Sequence, residues 1–227
     1  MKIITLGILL LGFVGATHAI DKPELERRIR TLTTKFDALQ SKPDKRIPAE
    51  TLREAKAIVL LDRTKAGFIF AYQGGGGVAM ARHPETEKWS ALAFLGADEA
   101  SLGFQVGGQQ TFFVILLMTT NATRLLTEPN FEFGGEARGT GGDATAGVEK
   151  TIVSPERAVL VYDDRQGLYG GAAIKGGSIR PDSEANRLYY GQGLTMKDIL
   201  FDGKVQPTDA ATALAARLTE HAKTAQK

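Results

Sequence analysis

The feature that most limits what this chain can become is a glycine-studded apolar stretch at residues 57–82, AIVLLDRTKAGFIFAYQGGGGVAMAR. It opens as an apolar run, meets a turn signal at Asp62-Arg63-Thr64-Lys65, and resumes at Gly67 with Phe68, Ile69 and Phe70. Gly74 to Gly77 follow, then a strand-like segment ending at Arg82. Residues 158–180, AVLVYDDRQGLYGGAAIKGGSIR, repeat the plan: an apolar strand, an Asp/Arg turn, Gly167 with Leu168 and Tyr169, a glycine pair and a closing arginine. Two distant copies indicate a duplicated hairpin-like unit and not a solenoid. Glycine weakens strand interiors, so Gly74 to Gly77 are expected at strand ends and turns.

The first 19 residues stand apart from the fold. Lys2 provides a positive start, residues 3–14 an apolar core, and Thr17-His18-Ala19 the small residues that signal peptidase requires. Cleavage after Ala19 is expected, with an uncleaved membrane anchor as the alternative. No Cys follows the apolar run, which excludes lipoprotein attachment. The expected destination is the periplasm or the exterior, with membrane association left open.

Residues 21–40 read as an amphipathic helix with Asp21 as cap and Pro23 in the first turn. Leu25, Ile29, Leu32, Phe36 and Leu39 fall on one stripe. Arg27, Arg28, Arg30 and Lys35 lie around the rest, mixed with Glu24, Glu26 and Asp37. Such a helix either packs on the core with a solvated charged face, or lies at a membrane interface with its stripe in the headgroup region. Trp89, the only tryptophan, is either a packing residue or an interface anchor.

Further along, residues 111–119, TFFVILLMT, are apolar on both faces and fit a central buried strand. Short helices are expected at 48–55, 121–127, 183–190 (with Asn186 on it and Gly191 closing it) and 195–200. A last helix opens at Pro207-Thr208-Asp209, with Ala213, Leu214, Ala216, Leu218 and His221 facing the core. The expected fold is α+β: a glycine-rich, mainly antiparallel β core containing the duplicated unit, flanked by N- and C-terminal helices. The expected organisation is a signal peptide at 1–19, a helix and linker at 20–46, the main domain at 47–222 and a frayed tail at 223–227.

The chemical inventory argues against catalysis. Without Cys there are no disulfides, thiolate metal sites or thiol nucleophiles. After the signal, His83 and His221 remain, in no metal-binding spacing. Gly139-Thr140-Gly141-Gly142 lacks the strand–turn–helix setting of a dinucleotide site, and Gly74 to Gly77 lack the Lys-Ser/Thr of a P-loop. A hydrolase built from converged acids, Asp62, Asp164 and Asp182, remains as a third hypothesis. The formal net charge is only +2, which offers no broad footprint for nucleic acid. No cofactor and no metal are expected.

Several blocks in order resemble one family. Ile47-Pro48 precedes Ala55-Lys56-Ala57-Ile58; Lys65-Ala66-Gly67-Phe68 leads to Gly74 through Val78 and to Arg82. Trp89-Ser90-Ala91, Gly103-Phe104-Gln105-Val106-Gly107, Gly167-Leu168-Tyr169, Asn186, Tyr189-Tyr190-Gly191 and Asp198-Ile199-Leu200 follow. Together they resemble the SYLF domain, also called the Ysc84 actin-binding domain, in its bacterial exported form. The resemblance implies a non-catalytic lipid-binding module for anionic phospholipids or phosphoinositide-like headgroups. Its lipid-binding residues would be Leu25, Ile29, Leu32 and Phe36 with Arg27, Arg28, Arg30 and Lys35; Trp89 joins this expected set not through the resemblance but as the interface anchor that a lone tryptophan can be. The expected partner is a phospholipid membrane surface, with a protein partner or an envelope-structural role as the alternative. Fungal relatives bind actin, but actin is not expected as a partner of an exported bacterial protein.

Overall fold

The computed structural model describes residues 20–66, 70–102, 109–129, 131–133, 151–152, 158–164, 167–168 and 177–223. The expected signal peptide, the segment 103–107, most of the glycine-rich stretch 131–147 and the tail beyond Lys223 lie outside the described residues. The helices are α1 (Lys22–Gln40), α2 (Ala49–Glu54), α3 (Thr120–Thr123, running into a 3-10 turn at Arg124–Thr127), α4 (Ser183–Tyr190), α5 (Met196–Leu200) and α6 (Asp209–His221). The strands are β1 (Ala57–Ala66), β2 (Phe70–Ala81), β3 (Ala93–Leu102), β4 (Gln109–Leu117), β5 (Phe131–Phe133), β6 (Thr151–Ile152), β7 (Ala158–Asp163), β8 (Gly167–Leu168) and β9 (Gly177–Pro181).

The described strands form one sheet in the order β5-β9-β3-β2-β1-β4-β7-β6, with β8 beside β7. Its pairings are antiparallel, which makes the fold α+β. Side chains alternate across it. Ile58, Leu60, Val78, Met80, Phe94, Val114 and Leu116 meet α1, α4 and α6 on one face. Val59, Leu61, Ala79, Leu95, Ile115 and Leu117 meet α5 and the 3-10 turn on the other. Because both faces are covered, β4 must be apolar on both, as its unbroken hydrophobic run requires.

Helix α1 begins where Asp21 accepts the Glu24 N–H at 2.8 Å, with Pro23 in its first turn. Leu25, Ile29, Leu32, Phe36 and Leu39 are 0–1% exposed. Burying each stabilises the fold by about 1.5–3 kcal/mol. Gln40 then ties down the loop that follows. Its side chain accepts the Ile47 N–H at 2.8 Å and donates to the Ile47 carbonyl at 3.3 Å.

Three local expectations change. The chain does not turn at residues 62–65: β1 runs on to Ala66, paired with β2 throughout. Gly74 to Gly77 therefore lie inside β2 and not at a strand end or turn. The reason is close approach. A Cβ on Gly77 would stand 2.7 Å from the Leu60 carbonyl oxygen, and one on Gly76 would stand 2.9 Å from the Arg28 guanidinium carbon. Finally, α6 buries Ala211, Leu214 and Leu218, while Ala213 and Ala216 face solvent.

The two similar stretches share a hairpin start and then part. In the first, β1 and β2 pair over ten positions. In the second, β7 pairs with β8 over two, and β9 crosses to β3 and β5 on the other side of the sheet.

Candidate functional site

Four basic residues of α1, Arg27, Arg28, Arg30 and Lys35, each face an acid from the same chain, while Lys22 lies over the Tyr189 ring at 5.4 Å. Arg27 pairs with Glu24, and Arg30 with Glu26 at 3.7 Å, both within the helix and with the arginine side chains 68% and 65% exposed. Lys35 reaches Asp62 of β1 at 2.5 Å. Arg28 pairs with Asp182 at 3.5 Å and lies over the Phe94 ring at 6.0 Å. The apolar residues expected to meet lipid, Leu25, Ile29, Leu32 and Phe36, are instead in the core beneath α1. The sheet offers them a dry partner surface, so in this structure they do not face outward. A second contact closes α1 onto α6: Asp37 accepts from Arg217 Nε at 3.0 Å and meets His221 Nε2 at 2.9 Å.

The acids considered for hydrolysis have separate structural roles. Asp62 holds Lys35. Asp164 accepts the Phe112 N–H at 3.2 Å. Asp182 caps α4 through the Ala185 N–H at 3.0 Å. Among the described residues, no cluster of three or more His, Asp or Glu is placed to hold a metal ion, and no helix is long and apolar enough to cross a membrane.

Trp89 does gather chemistry around it. Its backbone bridges Arg82, and the Arg82 guanidinium stacks on its ring at 4.5 Å. Arg82 donates to the Leu52 carbonyl at 3.4 Å, and its side chain is 12% exposed. Burial lowers the pKa of its guanidinium from the usual value, and the charge of Glu87 raises it in turn. Glu87 sits between two cations, 3.7 Å from Arg82 and 3.5 Å from Lys56. Its backbone is left-handed, with φ 54, in a turn closed by its N–H to the His83 carbonyl at 2.9 Å. Lys56, Arg82, His83 and Glu87 line a cavity of about 350 Å³, with Leu200 and Phe201 on an apolar side. Arg82 and Trp89 stand out in the sequence, whereas nothing there marks Lys56, His83 and Glu87 as a group. The one available signal was an arginine closing an apolar strand seven positions before the tryptophan.

The fold and this cleft define an α+β domain whose charged groups suit binding. Comparison with known proteins agrees. The family model Ysc84, described as "Las17-binding protein actin regulator", matches residues 98–221. The chain is 32% identical over 170 residues to human SH3 domain-containing YSC84-like protein 1, covering 74% of this chain and 49% of that protein. It is 32% identical over 175 residues to LAS seventeen-binding protein 3 of Saccharomyces cerevisiae, covering 75% of this chain and 38% of that protein. The chain belongs to the Ysc84 family. It spans about half the length of the mammalian relatives it matches, and less of the yeast one. No solved structure matches it. The family description corrects one expectation: actin cannot be set aside as a partner, because the family is described as an actin regulator.

Proposed function

We propose that this chain is a non-catalytic protein-binding module whose partner class is the one its family description carries, an actin-related protein. The observation behind this choice is the docked α1. Its whole apolar stripe lies at 0–1% exposure, so the helix serves the protein's own core and leaves a rigid, charged outer surface. Pelleting the chain with actin filaments tests the reading, and retention in the supernatant at every filament concentration would overturn it.

A second reading, binding to anionic phospholipid or phosphoinositide-like surfaces, rests on the two arginine side chains that stay most exposed on α1. Ion pairs as exposed as Arg27–Glu24 and Arg30–Glu26 contribute about 0–1 kcal/mol, so lipid phosphates could compete for these arginines. Co-sedimentation with anionic vesicles at low and moderate salt tests it. Charge reversal of Arg27 and Arg30 should abolish pelleting, and undiminished pelleting would refute this role. We further propose export, from the signal-like residues 1–19; a mature N-terminus found elsewhere than Ile20 would refute that cleavage.

A further inference from the structure

We propose that the cleft formed by Lys56, Arg82 and His83 binds a small phosphate monoester, and that Glu87 occupies the cationic groups until that ligand displaces it. The inference does not depend on the partner readings above.

Charge comes first. Lys56 and Arg82, from either side of the β1–β2 pairing, both meet the one carboxylate of Glu87. When that carboxylate swings away, two positive charges face the cavity, matching a phosphate dianion. Glu87 is placed to swing. Its contacts of 3.5 and 3.7 Å are longer than the roughly 2.7–2.9 Å of a charge-assisted hydrogen bond, and its side chain is 50% exposed.

Arg82, by contrast, is fixed. The Trp89 ring and the Leu52 carbonyl hold its guanidinium, so little rotamer freedom is lost when an anion arrives. Its Nε is buried and has no hydrogen-bond acceptor, so Glu87 leaves the donor fork incompletely used. His83 contributes a further donor. Its Nδ1 accepts the Glu85 and Thr86 N–H groups at 3.3 and 3.4 Å, which assigns the ring proton to Nε2.

The space indicates a monoester and not phosphate alone. A cavity of about 350 Å³ has room for an organic part, and Leu200 and Phe201 give that part an apolar wall. The phosphate could belong to a soluble ester or to a lipid headgroup, and the chemistry of recognition is the same for both.

The test titrates the full chain with glycerol 3-phosphate, and in parallel pellets it with phosphatidylcholine vesicles with and without phosphatidic acid. Glycerol 3-phosphate should bind the wild type, bind Glu87→Gln about tenfold more tightly, and bind Lys56→Gln at least tenfold more weakly. Arg82→Gln is avoided because losing the Trp89 stack endangers folding, whereas Lys56 is partly exposed. No binding to Glu87→Gln, or equal binding to wild type and Lys56→Gln, would overturn the proposal. Vesicle pelleting that needs phosphatidic acid and Lys56 assigns the phosphate to a headgroup; ester binding without pelleting assigns it to a soluble molecule. A Lys56→Gln chain that loses the ester but still pellets with actin filaments separates this site from the protein partner.

Discussion

Asn186 of α4 grips both peptide groups of Phe94 on β3: its side chain accepts the Phe94 N–H at 2.8 Å and donates to the Phe94 carbonyl at 3.1 Å. Strand β9 pairs with β3 only from Leu95 to Asp98, so the edge at Phe94 has no strand beside it. The buried amide takes the place of the missing strand. The carbonyl keeps a second donor, the Asp182 N–H at 3.1 Å, whereas the Phe94 N–H relies on the Asn186 side-chain oxygen. Asn186→Ala should therefore strand one buried donor and cost about 1–3 kcal/mol in urea denaturation. Asn186→Asp should cost more, because it also buries a carboxylate against the Phe94 carbonyl. Wild-type stability in both would refute this role.

Two neighbouring glycines should respond differently to the same change. On Gly77 a methyl group meets the Leu60 carbonyl at 2.7 Å, an atom of a strand buried in mid-sheet. On Gly76 it meets the end of the Arg28 side chain at 2.9 Å, which can rotate away. Gly77→Ala should destabilise by more than about 2 kcal/mol, within the range of overpacked cores. Gly76→Ala should cost about 1 kcal/mol or less, through the weakened Arg28–Asp182 contact. Equal losses, measured by thermal melting, would show that the β1–β2 approach is not what demands glycine at 77.

These positions also show what could and could not be read in the sequence. Helix α1 was legible because its cap, its first-turn proline and its stripe all lie within its own residues. So was α4, bounded by Asp182 and by Gly191, whose φ of 72 favours glycine. The course of β1 was not. Asp62 looks like a turn acid until Lys35, from α1, comes to rest on it. Gly76 looks like a turn glycine until Arg28 covers it. The cleft was illegible for the same reason: Lys56, the Arg82–Glu87 turn and Leu200 come from three separate stretches, and only the fold brings them together.

The docking of α1 is itself open to measurement. Leu32→Ala or Phe36→Ala removes a fully buried side chain and should cost about 2–5 kcal/mol. Phe36 also meets the His221 ring edge-on at 5.4 Å, so its loss loosens α6 as well. Asp37→Asn touches the same helix pair through a partly exposed ion pair and should cost only about 1 kcal/mol or less. If truncating Phe36 were as mild as changing Asp37, α1 would not be part of the cooperative core.

The last prediction concerns alkaline pH. The Tyr190 hydroxyl donates to the Leu92 carbonyl, and burial, with a smaller push from Tyr189, raises its pKa well above the usual phenol value. Burial also raises Tyr162 and Tyr189. In the unfolded chain all three lose their protons near pH 10, the ordinary tyrosine value. Above that pH the folded protein binds more protons than the unfolded one, so stability must fall as pH rises. Each raised tyrosine contributes at most about 1.4 kcal/mol per pH unit to that slope. These groups add no slope below about pH 9. Tyr190→Phe removes one hydroxyl: the variant should start less stable, having lost the bond to Leu92, but decline less steeply above pH 10. Urea midpoints from pH 8 to 11.5 would show it; a variant slope as steep as that of the wild type would mean that Tyr190 ionises in the folded protein as readily as in the unfolded chain.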